Sequence, residues 1–195
     1  MNKKVNVCLA GVLFSCVGGV STSCDGPAEQ VQSVVLEIGK NEVRGVDLGL
    51  SVKWDTCNVG TLFATETGRC FSALPVVISV IDNLHDGKGK IPTLGEFEEL
   101  RQRCVWNWTM RKGVPGMQIT GTTGKSIFLP ATGWVLGNKP QGSGTGMYWT
   151  STPVSDTADG YEAPCFNESG FIRSTVVGQE ALDLGISVPV RLVFP

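Results

Sequence analysis

Short apolar runs, separated by glycine and proline, dominate the hydrophobic pattern of this chain. In the run 146–153, two adjacent aromatic residues precede hydroxyl and β-branched residues, which predicts a central strand between two turns. A similar run at 127–134 comes before it, and an apolar run at 186–194 closes the chain. We expect the remaining segments to cover these three strands.

A seven-residue phrase occurs near both ends of this pattern. Val46–Val52 and Leu182–Val188 share Asp, Leu, Gly, Ser and Val in the same spacing. One recurrence is too little for a repeat architecture. We expect instead that the two termini contribute neighbouring strands that need the same glycine-containing bend, with chance similarity as the alternative.

The clearest helical pattern begins at Thr93. Thr93 and Glu96 have the spacing of a capping box, in which each side chain satisfies a backbone N–H at the start of a helix. The apolar residues of this segment lie on one helical face: Leu94, Phe97, Leu100 and Cys104. This face is predicted to pack on the sheet. The apolar run 75–81 is interpreted as a second, short helix, although its periodicity also fits a buried strand.

The N-terminal residues have the layout of an export signal. Residues 1–23 contain two lysines, an apolar stretch and a group of small residues, which is typical of a signal peptide. The small residues lead directly into Cys24 and resemble the lipobox of bacterial lipoproteins, so Cys24 is expected to be diacylated; secretion without a lipid is the alternative. Residues 24–44 are then the anchor site and a polar tether, and residues 45–195 form the folded domain.

Composition and charge narrow the class of protein. An apolar content of 42% and a charged content of 17% are ordinary for a soluble globular domain. The net charge of −2 becomes −4, with 14 basic against 18 acidic residues, once the two lysines of the signal peptide are removed. The sequence contains no basic stripe, and we therefore expect no nucleic-acid partner.

The sequence contains no clear catalytic or metal-binding constellation. The segment 82–87 resembles a calcium loop, but Leu84 stands at a ligand position and Thr93 stands where such a loop needs a glutamate. His85, the single histidine, has no cysteine, serine or second histidine beside it and is interpreted as a surface residue. We therefore expect no cofactor, no metal ion and no enzymatic activity.

Six motifs, in the same order, resemble the Fibrobacter succinogenes major paralogous domain over residues 45–195. They are Val46–Trp54 with Cys57–Gly60, Pro92–Thr93 with Glu96–Leu100, Cys104 with Trp106–Trp108, Ser126–Ala131, Tyr148–Pro153 and Val190–Val193. The resemblance implies an α+β, C-type-lectin-like fold with small antiparallel sheets, two flanking helices, paired N- and C-terminal strands and a long loop region. It also implies an exported lipoprotein of Bacteroidetes-type bacteria, lipid-anchored at the outer membrane or cell surface. A periplasmic or secreted location is the alternative.

The resemblance also bears on calcium and catalysis. Calcium-dependent sugar-binding lectins of this fold carry a Glu-Pro-Asn or Gln-Pro-Asp triplet and then Trp-Asn-Asp, because several oxygens must meet one hard cation. This chain has Lys139–Gln141 in the corresponding loop, and Trp149 is followed by threonine and serine. Formylglycine-generating enzymes, another branch of the fold, depend on reactive cysteines, and the sequence has no paired-cysteine motif. We therefore expect calcium-independent binding without catalysis.

The stretch between Trp134 and Tyr148 contains four glycines and is expected to be a long exposed loop that forms part of a binding surface. The residues expected to bind the ligand are Trp134, Asn138, Lys139, Gln141 and Ser143. The polar side chains supply donors and acceptors, and the indole can stack on a sugar or an apolar group. The alternative is that Trp134 belongs to the core and the loop is a solvated connector.

The favoured function is a cell-surface binding module or adhesin. Its partner is an unknown glycan or protein, and it contacts the membrane only through the lipid anchor. The alternative is a structural subunit of a surface assembly, such as a fimbria-like structure. A third hypothesis is a retroelement-diversified receptor, but residues 148–195 contain one Asn and two Tyr, few for a segment diversified by adenine mutagenesis.

Four cysteines remain in the exported domain once Cys24 is acylated, and four cysteines allow three pairings. We predict one disulfide between Cys57 and Cys104, since Cys104 lies on the inward helix face, and a second between Cys70 and Cys165. Strict alternation along the first strand turns Cys57 outward unless that strand bulges. Four reduced, buried thiols are the alternative.

A glycan is predicted on Thr157. Asp156–Ala158 resembles the Asp-Ser/Thr-small-apolar sequon used for O-glycosylation in Bacteroidetes-type exported proteins. The tripeptide lies in a polar loop of a chain that begins with a signal peptide, which is the context such a site needs. Asn107 and Asn167 match the eukaryotic N-linked pattern and are discounted in a bacterial protein.

Overall fold

The computed structural model describes residues 45–72, 89–154, 160–177 and 183–195. Within these ranges the chain forms one α-helix, α1 (Leu94–Arg103), and twelve β-strands. The strands are β1 (Lys53–Asn58), β2 (Cys70–Phe71), β3 (Val105–Arg111), β4 (Val114–Thr120), β5 (Ser126–Pro130), β6 (Trp134–Leu136), β7 (Lys139–Gln141), β8 (Thr145–Met147), β9 (Tyr161–Asn167), β10 (Gly170–Val177), β11 (Ile186–Pro189) and β12 (Arg191–Phe194).

The strands form four small antiparallel sheets, with the orders β1-β12, β10-β9-β8, β2-β11-β6-β7 and β3-β4-β5. The predicted α+β class with two flanking helices is wrong, because the structure is mostly β and has a single helix among the described residues. Frequent glycine turns return the chain after a few residues, which favours hairpins over helices. The second helix predicted over 75–81 lies outside the described residues.

The two ends of the domain pair as predicted. β1 runs antiparallel to β12, with Trp54 opposite Val193. Each copy of the seven-residue phrase bends at a glycine with positive φ, 79° at Gly49 and 76° at Gly185. A residue with a side chain is strained in that conformation. The two copies therefore share a glycine bend, the first before β1 and the second before β11.

α1 begins and packs as the sequence predicts. Thr93 is the N-cap: its Oγ1 accepts a hydrogen bond from the Glu96 N–H at 3.2 Å, and the Glu96 carboxylate accepts one from the Thr93 N–H at 2.7 Å. Phe97 and Leu100 are buried. The Phe97 ring meets the Trp54 ring edge-on, with 4.8 Å between centroids. The capping box thus starts a helix whose apolar face closes one side of the core.

The segment 148–153 is central and its first residues are fully buried, but it is not the regular strand that its pattern predicts. The N–H groups of Tyr148 and Thr150 bond to carbonyl groups of β9, whereas the N–H of Trp149 bonds to the Pro189 carbonyl at 3.1 Å. Alternate amides of an extended chain face opposite sides. The segment therefore joins two sheets instead of extending one.

Two hydrophobic clusters share this central region. The first cluster contains Val59, Phe71, Ile91, Trp134, Met147, Trp149, Ala163, Cys165, Ile186, Val188, Val190, Leu192 and Phe194. The second contains Leu48, Val52, Trp54, Phe97, Leu100, Met117, Ile119, Ile127, Leu129, Ala131, Tyr148, Phe166 and Val193. Three short segments give neighbouring side chains to both clusters: Met147–Trp149, Cys165–Phe166 and Leu192–Phe194. Burial on both faces explains why the pattern of these segments does not alternate.

Candidate functional site

A cavity of about 450 Å³ lies on the outer face of the sheet β2-β11-β6-β7. Strand register defines this face, because Val135 stands opposite Pro140 on one side and opposite Ser187 on the other. Cys70 stands opposite Pro189, two residues after Ser187, so Cys70 lies on the same face. Val135, Pro140, Ser187 and Cys70 all line the cavity. Its volume is within the range of about 300 to 1,000 Å³ that is common for small-molecule sites.

The inner face of the same sheet is part of the first cluster, through Phe71, Trp134, Ile186 and Val188. Close packing in a core fixes the positions of side chains and backbone. The floor of the cavity is therefore attached to the first cluster of the core.

The connection between β1 and β2 forms one wall of the cavity and is tied to β1. Asn58 Nδ2 donates a hydrogen bond to the Thr67 carbonyl at 2.8 Å, and the Arg69 N–H donates one to the Val59 carbonyl at 2.8 Å. These bonds hold the wall against the end of β1, which pairs with β12 in a separate sheet. Four further residues line the cavity. Gly68 lies beside Thr67, and Thr132 precedes β6. Trp134 begins β6, and Gly137 lies in the β6–β7 turn.

The cavity lining combines hydrogen-bonding groups with apolar surface. Thr67, Thr132 and Ser187 are the lining residues that carry a hydroxyl group, although Thr132 Oγ1 itself is buried. Apolar surface comes from Trp134, Val135 and Pro140. Arg69 is the charged residue among the described residues that line the cavity. Burial raises the pKa of the Cys70 thiol to about 11, so this thiol is neutral near pH 7. Such a lining can bind and orient a polar ligand.

The structure brings one of the five predicted ligand residues into the cavity. Trp134 lines it, although the residue is only 7% exposed and its side chain belongs to the first cluster. Lys139 and Gln141 flank a cavity residue on β7, so strand alternation turns their side chains to the other face of the sheet. Asn138 and Ser143 are exposed and lie outside the cavity.

The predicted long loop between Trp134 and Tyr148 is wrong, because most of this stretch is strand. β6 and β7 form a hairpin around the two residues Gly137 and Asn138, and β8 follows a second turn. Gly142 packs against the Trp134 ring, where there is no room for a Cβ. The glycines that suggest an irregular loop serve instead as hairpin turns and as a close contact with the core.

Sequence reasoning does not identify Arg69, Thr132 or Ser187 as lining residues. They lie in three segments that are far apart along the chain, and only the strand pairing brings them together. Ser187 carries the one usable signal, because it is a polar residue between the buried residues Ile186 and Val188 on a strand. That alternation marks the outer face of the sheet but not the cavity.

Cys57, Cys70, Cys104 and Cys165 are thiols in the structure, which contains neither predicted disulfide. The structure corresponds to the alternative of four reduced cysteines. Burial raises the pKa of the Cys104 thiol, and burial raises that of Cys70 to about 11. Cys57 is buried because a register shift in β1 breaks strict alternation.

Three residues singled out from the sequence, Cys24, His85 and Thr157, lie outside the described residues, so lipidation and O-glycosylation remain predictions. Across the described ranges, no helix has the length and apolar character needed to cross a membrane. The same ranges contain no group of three or more His, Cys, Asp or Glu side chains arranged to hold a metal ion. Comparison of the chain with protein-family models, with curated protein sequences and with solved structures finds no match.

Proposed function

We propose that residues 45–195 form a non-catalytic module that binds a glycan, carried by an exported, lipid-anchored protein of the cell surface. The cavity on the outer face of the sheet β2-β11-β6-β7 is its ligand site. The construction of this sheet carries the proposal: core side chains hold its inner face, and the described lining residues enclose about 450 Å³ on its outer side. A pre-formed cavity on a rigid scaffold is typical of small-ligand recognition.

The lining favours a glycan over a protein surface. A sugar ring presents hydroxyl groups around its edge and an apolar face of C–H groups. The cavity offers hydroxyl groups for the first and the apolar surfaces of Val135 and Pro140 for the second. A stable protein interface needs about 800 Å² of surface from each partner, which is a much larger contact than a sugar residue makes.

We also propose that the chain belongs to the Fibrobacter succinogenes major paralogous domain family and is anchored through Cys24. In support, the motifs that carry the resemblance supply buried framework residues, including Trp54, Leu100, Tyr148 and Trp149. Residues 25–44 then act as the tether between the membrane and the binding domain. A tether is consistent with a site that meets glycans outside the cell.

Binding of the full-length chain to a glycan array tests the proposed function. Ser187→Trp fills the cavity, and we expect it to abolish binding to the glycans that the native chain retains. Lys139→Trp adds the same ring on the opposite face of the same sheet and is the matched control. Unchanged binding by a Ser187→Trp protein that circular dichroism shows to be folded would contradict the proposal.

An exposed apolar patch favours a second function, that of a structural subunit in a surface assembly. Leu62 and Phe63 are each 56% exposed, and Met110 is 62% exposed. Lys112 Nζ lies 5.6 Å from the centroid of the Phe63 ring, which places this loop beside the β3–β4 turn, near Met110. Exposed apolar patches mark protein contact surfaces. On intact cells, Phe63→Ser should no longer crosslink to a neighbouring protein that crosslinks to the native chain. An unchanged crosslinking pattern would count against this function.

A further inference from the structure

We infer that the free edge of β3 pairs with the same edge of a second copy of the chain, so that two domains share one continuous sheet. The inference goes beyond the proposed function, because β3 contributes no residue to the described lining of the cavity. Two observations support it: a row of unpaired backbone groups along β3, and an order of side chains that is complementary to itself.

Alternate residues of β3 direct their backbone groups away from β4. Pro115, which stands opposite Met110, accepts a hydrogen bond at 2.8 Å from the N–H of Ala131, so its carbonyl faces β5 and not β3. The alternation of an antiparallel ladder then assigns Trp106, Trp108 and Met110 to the positions that are not bonded to β4. Their three N–H and three C=O groups lie along the outer edge, and no described residue bonds to them.

β3 lacks the features that protect other sheet edges from pairing. It has seven residues in unbroken register with β4 and contains neither proline nor lysine. By contrast, β2, β7 and β8 have two or three residues each, β7 contains Lys139 and Pro140, and the register of β10 shifts between Ile172 and Thr175. Short strands, lysine, proline and bulges are the common means of blocking edge pairing. β3 is thus a long, regular and unprotected edge.

The core-facing side of β3 also continues beyond the core. Met110 alternates with Trp106 and Trp108, which are half-buried against the second cluster, and Met110 itself is 62% exposed. A strand added at this edge would extend the sheet and cover these three side chains. Apolar surface removed from water in this way stabilises the contact.

One antiparallel register uses every free backbone group. With a twofold axis at Trp108, this residue pairs with its own copy through two hydrogen bonds. Trp106 pairs with the partner's Met110 through two more, and the symmetric pair adds the last two, which gives six bonds for the six groups of each copy. A register shifted by two residues in either direction leaves one of the outer pairs unmade, so only four bonds form.

The same register also matches the side chains of the two copies. On the core-facing side it places Trp106 against the partner's Met110. On the other side it places Asn107 opposite the partner's Thr109 and Arg111 opposite the partner's Val105, so no like charges meet within the paired strands. A contact of this kind uses one surface twice and closes as a dimer. This self-complementarity favours a second copy of the chain over an unrelated strand.

Disulfide trapping on intact cells tests the inference with the full-length chain. Asn107→Cys and Thr109→Cys are expressed together, each with its own epitope tag, and copper phenanthroline accepts the electrons that the paired thiols release. Residues opposite each other at a non-hydrogen-bonded position have Cα atoms about 4.5 Å apart, which is within reach of a disulfide. We expect a disulfide-linked dimer that carries both tags.

Two comparisons make the expected dimer specific for this register. Two copies of Asn107→Cys should give less product, because these positions lie on a diagonal about 7–8 Å apart, at the limit for a disulfide. Gln118→Cys in place of Asn107→Cys is the matched control. Gln118 stands opposite Asn107 on the same face of the sheet, but it lies one strand further from the edge and should not be linked to Thr109→Cys.

Variants of Met110 test the role of the free backbone groups. Met110→Pro removes an outward N–H without removing a bond to β4, and it should abolish the dimer that carries both tags. Met110→Lys keeps the N–H but places a charge on the core-facing side of the edge. It should also abolish the dimer, and it serves as the test variant if Met110→Pro does not fold. Met110→Leu keeps the N–H and the apolar side chain and is the control, in which the dimer should persist.

Four outcomes would overturn the inference. These are the absence of a dimer from folded Asn107→Cys and Thr109→Cys, a dimer that survives in folded Met110→Lys, a stronger product from two copies of Asn107→Cys, and either cysteine linked instead to a different protein. The last outcome would assign the edge to an unrelated strand. Failure of the proposed function is distinguishable, because glycan binding by the native chain and by Ser187→Trp is measured separately and does not depend on β3.

Discussion

Arg191 Nε donates a hydrogen bond to Asn58 Oδ1 at 2.8 Å, and both side chains are buried. The guanidinium donates two further bonds, to the carbonyl groups of Asp55 and Phe128, each at 3.0 Å. Asn58 Nδ2 in turn donates to the Tyr148 hydroxyl at 3.3 Å. One charged side chain therefore ties β12 to β1 and β5 at the place where the two ends of the domain meet.

Arg191→Met should lower the free energy of unfolding by about 3 kcal/mol, because three buried acceptors lose their donor and each unpaired buried group costs about 1–3 kcal/mol. Urea unfolding followed by tryptophan fluorescence measures the loss. Arg103→Met removes a partly exposed ion pair with Glu99 and is the control, with an expected loss of under about 1 kcal/mol. A loss for Arg191→Met no larger than that of the control would contradict the role of this network.

Glu99 should make the stability of the domain depend on pH in acid. Burial acts to raise its pKa, but hydrogen bonds from Ser51 and the nearby charge of Arg103 outweigh burial and hold the pKa below its usual value. The resulting stability is present above the unfolded pKa of about 4.3 and is lost as the pH falls through the lower folded pKa. Glu99→Gln should therefore be less stable than the native chain at pH 7, with a difference that narrows below about pH 4.

The urea midpoint measured from pH 7 down to pH 3 checks this prediction for Glu99. Ser51→Ala removes the side-chain hydrogen bond to the carboxylate but keeps the backbone one. The difference in urea midpoint between Ser51→Ala and the native chain should also narrow at low pH, but by less. A difference in urea midpoint between Glu99→Gln and the native chain that stays constant from pH 7 to pH 3 would show that Glu99 does not cause the pH dependence of stability.

Cys70 should react slowly with iodoacetamide at neutral pH, because burial raises its pKa to about 11 and the thiolate is the reactive form. Its alkylation rate should rise about tenfold for each pH unit between 7 and 10. Peptide mapping without reductant gives the rate, and Cys70→Ser identifies the peptide. A rate that levels off near pH 8 would be inconsistent with the raised pKa.

The same map should show all four domain cysteines as thiols, and a peptide pair linked through Cys57 and Cys104 would restore the predicted disulfide.

Cys24 should incorporate labelled palmitate in cells, because small residues lead directly into this cysteine after an apolar signal stretch. Cys24→Ala should lose the label and leave the membrane fraction. Ser23→Ala, which keeps a small residue before the cysteine, is the control and should be labelled normally. Equal labelling of the native chain and Cys24→Ala would reject the lipid anchor.

Thr157 should carry a glycan in protein purified from its native host, because Asp156–Ala158 resembles the Asp-Ser/Thr-small-apolar sequon for O-glycosylation of exported proteins. The intact mass should exceed that of the lipidated chain, and Thr157→Ala should remove the excess. Thr152→Ala is the control, since it lacks the preceding aspartate and should keep the extra mass. A peptide containing an unmodified Thr157 would reject this site.

Local signals are the part of the structure that the sequence predicts well. The capping box at Thr93 and Glu96 depends on four adjacent residues, and the structure contains it. The cavity depends on strand register, where one position decides the face: Pro140 lies in the cavity, while Lys139 and Gln141 point away from it. Hydrogen bonding between distant segments sets that register. Choosing the polar residues that follow Trp134 in the sequence therefore identifies the correct hairpin, but not the side chains that face the cavity.

The adjacent pairs Tyr148–Trp149, Cys165–Phe166 and Leu192–Val193 each supply one side chain to each hydrophobic cluster. A peptide segment that leaves one cluster must therefore leave the other at the same time. Neither half of the interior can open by itself, so backbone amides on both sides should exchange their hydrogens with solvent through one global opening. A mutation that destabilises either cluster should then lower the free energy of unfolding of the whole domain.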